Sequence, residues 1–136
     1  MGYTAATGII SPSVIIPLYF ASIAWTLHYD TIYAHQDKQD DSRAGVKSTA
    51  LLLGKDSKLW LRTFNIVMIS HLVTVGLFVD QTWPYYAGLL GAGYHLHRQV
   101  EHVDLNDRQS CWNTFVSNRI TGLIILSCIL VGNLFK

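Results

Sequence analysis

Charged side chains are scarce in this sequence. They make up 14% of its 136 residues, whereas about 25% is usual in a soluble domain. Half of the residues are hydrophobic, and the few charges nearly cancel to a formal net charge of +1. Bulk charge therefore gives no basis for a nucleic-acid partner. The shortage of charge instead favours a chain embedded in lipid.

Cysteine is also scarce, with only Cys111 and Cys128 and no CxxC spacing. This excludes a disulfide framework and a zinc site built on cysteine pairs. The six histidines show no HExxH or comparable ligand spacing, which argues against a histidine zinc site. A calcium loop beginning at Asp37 would need Gly and Glu at its sixth and twelfth positions. The sequence has Ser42 and Ser48 there, so an EF-hand is excluded.

Long apolar stretches are what the sequence has in abundance. Four of them, at about residues 11–28, 59–79, 83–96 and 114–135, approach the roughly 20 residues that a helix needs to cross a membrane. The third contains AGLLGAG, whose small residues permit close helix contact in a membrane. Taken alone, that stretch fits a buried helix of a soluble protein equally well. Together the four predict an all-α fold, a multi-span transmembrane helical bundle forming one domain over residues 1–136.

The connections between these stretches predict an orientation. Because consecutive spans alternate in direction, the connections at residues 29–58 and 97–113 share one side of the membrane. They carry most of the basic residues of the chain, namely Lys38, Arg43, Lys47, Lys55, Lys58, Arg98 and Arg108. The short turn at residues 80–82 on the other side has no Lys or Arg. By the positive-inside rule, the two long connections face the cytoplasm or the matrix.

Carboxylates are concentrated directly after the first apolar stretch. Asp37 and Asp41 are four residues apart, so they would project from one face if the first helix continued past the membrane boundary. Two carboxylates so placed repel each other unless a cation lies between them. Mg²⁺ prefers oxygen ligands and is commonly held by one or two carboxylates plus a substrate phosphate. Asp30 and Asp40 lie off the face of this pair or a turn or more away. We therefore expect them to support the pair without binding the metal directly.

Cations follow the carboxylates on a more flexible stretch. Arg43 and Lys47 flank Gly45, and both side-chain types bind phosphate, Arg through a planar fork and Lys as a point charge. They are therefore candidates for contacting a diphosphate already bound to the metal. The alternative is that these two cations, like Asp37 and Asp41, are solvated loop residues on the positive side of the membrane.

This segment resembles the second aspartate-rich motif of the UbiA superfamily of prenyltransferases. The resemblance rests on YDTIYAHQDKQDD followed by GVKSTALLLG, and it continues through WPYYAGL, CWNTFVSNR and GLIILSCILVGNL. It covers nearly the whole chain. It implies a nine-helix transmembrane bundle in which two aspartate-rich motifs bind Mg²⁺ and a polyprenyl diphosphate, with the present four spans as the last four.

The resemblance also implies an activity and roles for single residues. It is strongest to the mitochondrial branch that transfers a polyprenyl group to 4-hydroxybenzoate in ubiquinone biosynthesis. That branch implies the mitochondrial inner membrane, with the active-site loops facing the matrix and association with other ubiquinone-synthesis proteins. Asp37 and Asp41 match the metal-binding and catalytic pair. Lys47, and less closely Arg43 and Tyr33, match diphosphate-binding positions.

One departure from the family is the absence of its first motif, NDxxDxxxD, from the sequence. We therefore expect these 136 residues to be part of a longer enzyme and to be inactive by themselves. Two other functions stay open at this point. A small membrane transporter or channel subunit would explain the spans, since membrane carboxylates also mark ion pathways, but not the basic segment after the carboxylates. A non-catalytic membrane assembly partner is the other.

Overall fold

The computed structural model describes residues 2–135, which are largely helical and contain no strand. Seven α-helices follow one another within that range. They are α1 (Gly2–Thr7), α2 (Pro12–Ala34), α3 (Lys38–Ala44), α4 (Thr49–Leu53), α5 (Ser57–Phe78), α6 (Trp83–His102) and α7 (Arg108–Leu134), with a 3₁₀ turn (Gly54–Asp56) between α4 and α5. The all-α prediction is confirmed.

The four long helices correspond to the four apolar stretches, but three of them extend further than those stretches. α2 runs on to Ala34, α6 runs on to His102, and α7 begins at Arg108. The apolar stretches mark where lipid is expected, whereas backbone hydrogen bonds continue into polar sequence that is equally able to form a helix. All three extensions lie at the end of the bundle that carries the long connections. We call this polar end of the bundle, formed by the extensions and the connections at residues 29–58 and 97–113, the rim.

Two helices are long and apolar enough to cross a membrane, by length and composition. They are α5 with the turns before it (Thr49–Phe78) and α7 (Arg108–Leu134). Large apolar side chains lie exposed along the bundle, including Ile16, Ile66, Leu77, Leu90, Leu123 and Leu130. An apolar surface of that extent is typical of contact with lipid. The membrane spans predicted at α2 and α6 stay predictions.

The four long helices pack into one bundle. α2 packs mainly on α5 and α6 mainly on α7, while contacts of α5 with α6 and of α2 with α7 join the two pairs. One core cluster lies in the body of the bundle and consists of Ala21, Ala24, Met68, Leu72, Tyr85, Leu89, Leu96 and Cys128. A second lies beneath the long connections and consists of Ile32, Leu61, Val100, Val103 and Cys111. The second cluster supports the rim.

Glycine allows α6 and α7 to approach closely, as AGLLGAG predicted. A Cβ added at Gly88 would lie 2.1 Å from the Cβ of Cys128, far inside contact distance. Gly132 on α7 is in a similar position, because its added Cβ would lie 3.0 Å from the Cβ of Tyr85. Because glycine has only a hydrogen atom in place of a side chain, the two backbones can pack this closely.

Buried polar side chains join three helices just beneath the rim. Gln99 on α6 accepts a hydrogen bond from Nε2 of His28 on α2 at 3.3 Å and donates one to Oγ of Ser117 on α7 at 2.6 Å. Nearby, Nε1 of Trp25 donates to Oδ1 of Asn118 at 3.2 Å. Such bonds are favoured where little water is available to take their place. They fix the relative positions of α2, α6 and α7.

Candidate functional site

The acidic segment, residues 37–41, lies at the start of its own short helix, α3, and not on an extension of α2, so the condition under which the sequence placed both carboxylates on one face is not met. α2 ends at Ala34, Asp37 occupies the position before the first residue of α3, and Asp41 lies in the first turn of α3. The backbone N–H of Asp41 donates to the carbonyl oxygen of Asp37 at 2.8 Å. The two residues therefore still stand one helical turn apart, although on a different helix.

The side chain of His35 accounts for the end of α2. Its Nδ1 donates to the carbonyl oxygen of Thr31 at 2.8 Å, the acceptor that the backbone N–H of residue 35 would use in an α-helix. That backbone N–H donates instead to Ile32 at 3.2 Å, a tighter bond that is common at helix ends. Burial lowers the pKa of His35, and nearby Lys38 lowers it further, against the opposing effect of the Thr31 hydrogen bond. Burial and Lys38 thus favour the neutral imidazole of His35 over the charged one.

Arg108 connects the first turn of α7 to the acidic segment, a role that the sequence analysis missed. Its guanidinium donates a hydrogen bond to the carboxylate of Asp37 and lies 3.6 Å from that of Asp40. Its Nε also donates to the carbonyl oxygen of Gln36 at 3.1 Å. Arg108 is 71 residues from Asp37 in sequence, so no local pattern indicates the contact. The two long connections thus lie together at one end of the bundle, as their predicted shared side requires.

Three carboxylates occupy little more than one turn, those of Asp37, Asp40 and Asp41. Arg108 forms ion pairs with the carboxylates of Asp37 and Asp40. Within residues 2–135, the carboxylate of Asp41 makes no ion pair or hydrogen bond. No group of three or more His, Cys, Asp or Glu side chains in that part of the chain is arranged to hold a metal ion alone.

Such a donor set fits Mg²⁺ better than metals that need a full protein cage. Mg²⁺ is commonly held by one or two carboxylates, with water and substrate phosphate completing its coordination. Asp37 and Asp41 provide hard oxygen donors of this kind at the surface of the bundle. The negative charge of Asp37, which attracts the Arg108 guanidinium, would attract a metal cation for the same reason.

The two predicted cations of the diphosphate site are both exposed. Arg43 lies in the last turn of α3, and Lys47 lies in the link between α3 and α4. Gly45 between them has φ +71°, and its backbone N–H donates to the carbonyl oxygen of Asp41. This left-handed turn suits glycine. Among the described residues, neither cation makes an ion pair or hydrogen bond, so both are free to contact an anion.

Tyr33 lies apart from these cations, in the last turn of α2. Tyr33 is 43% exposed, and its ring packs against Phe115 of α7, with ring centroids 5.0 Å apart. Further rings continue this contact to form an aromatic strip, consisting of Trp25, Tyr29 and Tyr33 on α2 with Trp112 and Phe115 on α7. The strip ends beside the acidic segment. The diphosphate-binding role of Tyr33 stays a prediction.

Comparison with known proteins identifies the family. The UbiA prenyltransferase family model matches residues 1–128. Over all 136 residues the chain is 51% identical to the mitochondrial 4-hydroxybenzoate polyprenyltransferase of Bos taurus and 49% identical to that of Homo sapiens, spanning 37% of each. It is 46% identical to the protein of that name from Arabidopsis thaliana, of which it spans 33%. No solved structure matches the chain. The chain belongs to the UbiA prenyltransferase family.

Proposed function

We propose that the protein transfers a polyprenyl group from a polyprenyl diphosphate to 4-hydroxybenzoate, as a Mg²⁺-dependent step of ubiquinone biosynthesis. The observation that carries the proposal is the acidic turn of Asp37 and Asp41, followed by two unpaired cations at the rim of an apolar bundle. The names of its relatives support the same activity. They also support a mitochondrial location, and we place the protein in the inner membrane with the rim facing the matrix. Association with other ubiquinone-synthesis proteins belongs to the same proposal.

The proposed reaction begins when the bond between the allylic carbon and the diphosphate oxygen breaks. Its electron pair leaves with the diphosphate, and the prenyl chain becomes an allylic cation. The ring carbon ortho to the phenolic hydroxyl of 4-hydroxybenzoate then attacks this cation. Loss of the proton from that carbon restores the aromatic ring. The protein must therefore stabilise negative charge at the leaving group and positive charge on the prenyl chain.

The residues of the rim are suited to the first of these tasks. Asp37 and Asp41 would hold Mg²⁺, which neutralises charge on the departing diphosphate. Arg43 and Lys47 would contact the diphosphate directly, because neither is engaged elsewhere in the described chain. Donors placed where charge develops are often the largest contribution to catalysis.

The aromatic strip is suited to the second task. The faces of aromatic rings attract cations, and the attraction is strongest where water is excluded. The strip lies on α2 and α7 and ends with Tyr33, close in the chain to Asp37. An apolar prenyl chain bound along these rings would bring its allylic carbon towards the diphosphate at the rim.

Replacement of the two carboxylates tests the proposal. We expect Asp37→Asn and Asp41→Asn in the intact protein each to lower the rate of prenyl transfer by about a hundredfold or more, the usual loss when a group that stabilises the transition state is removed. The measurement is Mg²⁺-dependent formation of prenylated 4-hydroxybenzoate in detergent or proteoliposomes.

The matched control is Asp56→Asn. Asp56 is an exposed carboxylate on the same side of the bundle, and it makes no side-chain cap to α5. We expect this variant to retain full activity. If either motif variant were as active as Asp56→Asn, the proposed metal site would be wrong.

A further inference from the structure

A cavity of about 580 Å³ opens at the rim, where the two long connections meet. It lies between the turn that follows α2, the 3₁₀ turn with the start of α5, and the connection from α6 to α7. Its titratable lining residues are His35, Lys38, Lys55, Lys58, His102 and Asp104. None of the four residues predicted to bind metal or contact diphosphate at the acidic segment, Asp37, Asp41, Arg43 and Lys47, lines it.

The three lysines of this cavity are not neutralised by neighbouring carboxylates. Within residues 2–135, Lys38, Lys55 and Lys58 make no ion pair. Asp104 is the only acidic residue in the lining, and its Oδ1 already accepts a hydrogen bond from the backbone N–H of Asn106 at 2.9 Å. The cavity therefore carries a net positive charge.

The carboxylate of Glu101, whose backbone oxygen contacts Lys58, is bound elsewhere. Glu101 is held by Arg62 at 2.7 Å, and the hydrogen bond from Arg62 is the main reason that the pKa of Glu101 is lowered, with Lys58 contributing less. Lys58 contacts only the backbone oxygen of Glu101, at 3.4 Å. The pairing of Arg62 with Glu101 thus leaves the ammonium of Lys58 without a carboxylate partner.

We propose that this cavity binds a phosphate-bearing anion, at a site beside the acidic segment, which contributes Lys38 to the lining but none of its carboxylates. A concave surface lined by charges of one sign concentrates counter-ions, and lysine is an effective point-charge partner for phosphate. Basic pockets between transmembrane helices on the matrix or cytoplasmic side bind lipid head groups in the same way. The anion is therefore either the phosphodiester of an acidic phospholipid or free diphosphate. The proposal does not depend on the transfer activity proposed above.

Two binding measurements on the intact protein distinguish these sources. In the first, inorganic diphosphate is titrated calorimetrically onto the protein in nonionic detergent with EDTA, so that no metal supports binding at the acidic segment. In the second, the protein is placed in nanodiscs of phosphatidylcholine with increasing amounts of cardiolipin, and retained cardiolipin is counted by native mass spectrometry. We expect saturable binding of one of the two probes, and that probe identifies the source.

Single substitutions then locate the site. We expect Lys55→Gln and Lys58→Gln each to weaken binding about fivefold, the usual contribution of one basic residue near an anionic surface. Arg119→Gln is the matched control, because Arg119 is an exposed cation of α7 that does not line the cavity and whose side chain makes no ion pair or hydrogen bond among the described residues. It should leave the dissociation constant unchanged, and Asp37→Asn, which removes a negative charge beside Lys38, should not weaken binding. Unfolding temperatures measured without the probe show whether each variant is folded.

Three outcomes would overturn the proposal. The first is no saturable binding of either probe to the folded wild-type protein. The second is an equal loss of binding in Arg119→Gln and in the two lysine variants, which would indicate attraction by overall charge. The third is loss of binding in Asp37→Asn with EDTA present, which would assign the anion to the acidic segment. Transfer activity is not measured in any of them, so failure here leaves the proposed function untouched.

Discussion

Among the described residues, Arg108 is the one that forms ion pairs with the acidic segment. Its ion pair with Asp37 is half exposed, with side-chain exposures of 64% and 46%, and pairs of that kind contribute only about 0–1 kcal/mol. A weak pair holds the carboxylate in position yet gives way to a doubly charged cation, because Coulomb attraction rises with charge. We infer that Arg108 positions Asp37 and competes with a metal ion for it.

The corresponding prediction concerns Arg108→Gln. We expect this variant to need up to about fivefold less Mg²⁺ for half-maximal transfer, since a competing interaction of about 1 kcal/mol at most is removed. The measurement is transfer rate against Mg²⁺ concentration. Arg62→Gln is the control, because it breaks the other well-formed exposed ion pair, with Glu101, away from the acidic segment. An unchanged or higher Mg²⁺ requirement in Arg108→Gln would show that the two cations do not compete.

At the scale of elements, the position of the site depends on how closely α6 and α7 pack. α7 carries Arg108 at its first turn, and its start is fixed by Asp107, whose carboxylate accepts hydrogen bonds from the backbone N–H groups of Gln109 and Ser110. Further along, Gly88 of α6 lies against Cys128. A change in this packing would shift the start of α7, and Arg108 with it, relative to Asp37.

Gly88→Ala tests this packing. Its added methyl would lie 2.1 Å from Cβ of Cys128 and 3.4 Å from the Cα of the same residue, so the helices must move apart. We expect a loss of about 1–3 kcal/mol, as for other overpacked positions, measured by denaturant unfolding in detergent. Gly91→Ala is the matched control, since the nearest atom to its added Cβ is 4.0 Å away. Equal destabilisation by both variants would contradict the assigned contact.

At the scale of the whole molecule, the bundle has two unlike ends. The rim combines the acidic segment, the cationic cavity and most of the basic residues. The opposite end includes a short turn, where Gln81 donates to Oδ1 of Asn133 at 3.1 Å and Thr82 donates to the carbonyl oxygen of Gly132 at 2.7 Å. From this difference the positive-inside rule predicts an orientation, in which the rim faces the cytoplasm or the matrix.

Cysteine labelling tests the orientation. We expect Asp56→Cys and Asn106→Cys to be protected from a membrane-impermeant maleimide in intact mitoplasts and to react once the membrane is opened. Trp83→Cys, at the other end of the bundle and 72% exposed as Trp, should react without opening. The wild-type protein serves as the blank, and Cys111 and Cys128 are both buried. Labelling of Asp56→Cys and Asn106→Cys from opposite sides would contradict the shared rim.

The sequence alone determined the four long helices and the spacing of Asp37 and Asp41. Both are local properties, set by apolar stretches and by backbone hydrogen bonds between residues four apart. Only the tertiary structure decided that α2 ends at Ala34, that Arg108 reaches Asp37, and that three lysines of one long connection line a cavity together with residues of the other. These features depend on a side chain competing for a backbone carbonyl and on helices packing residues together that are far apart in the chain. No pattern confined to neighbouring residues encodes such contacts.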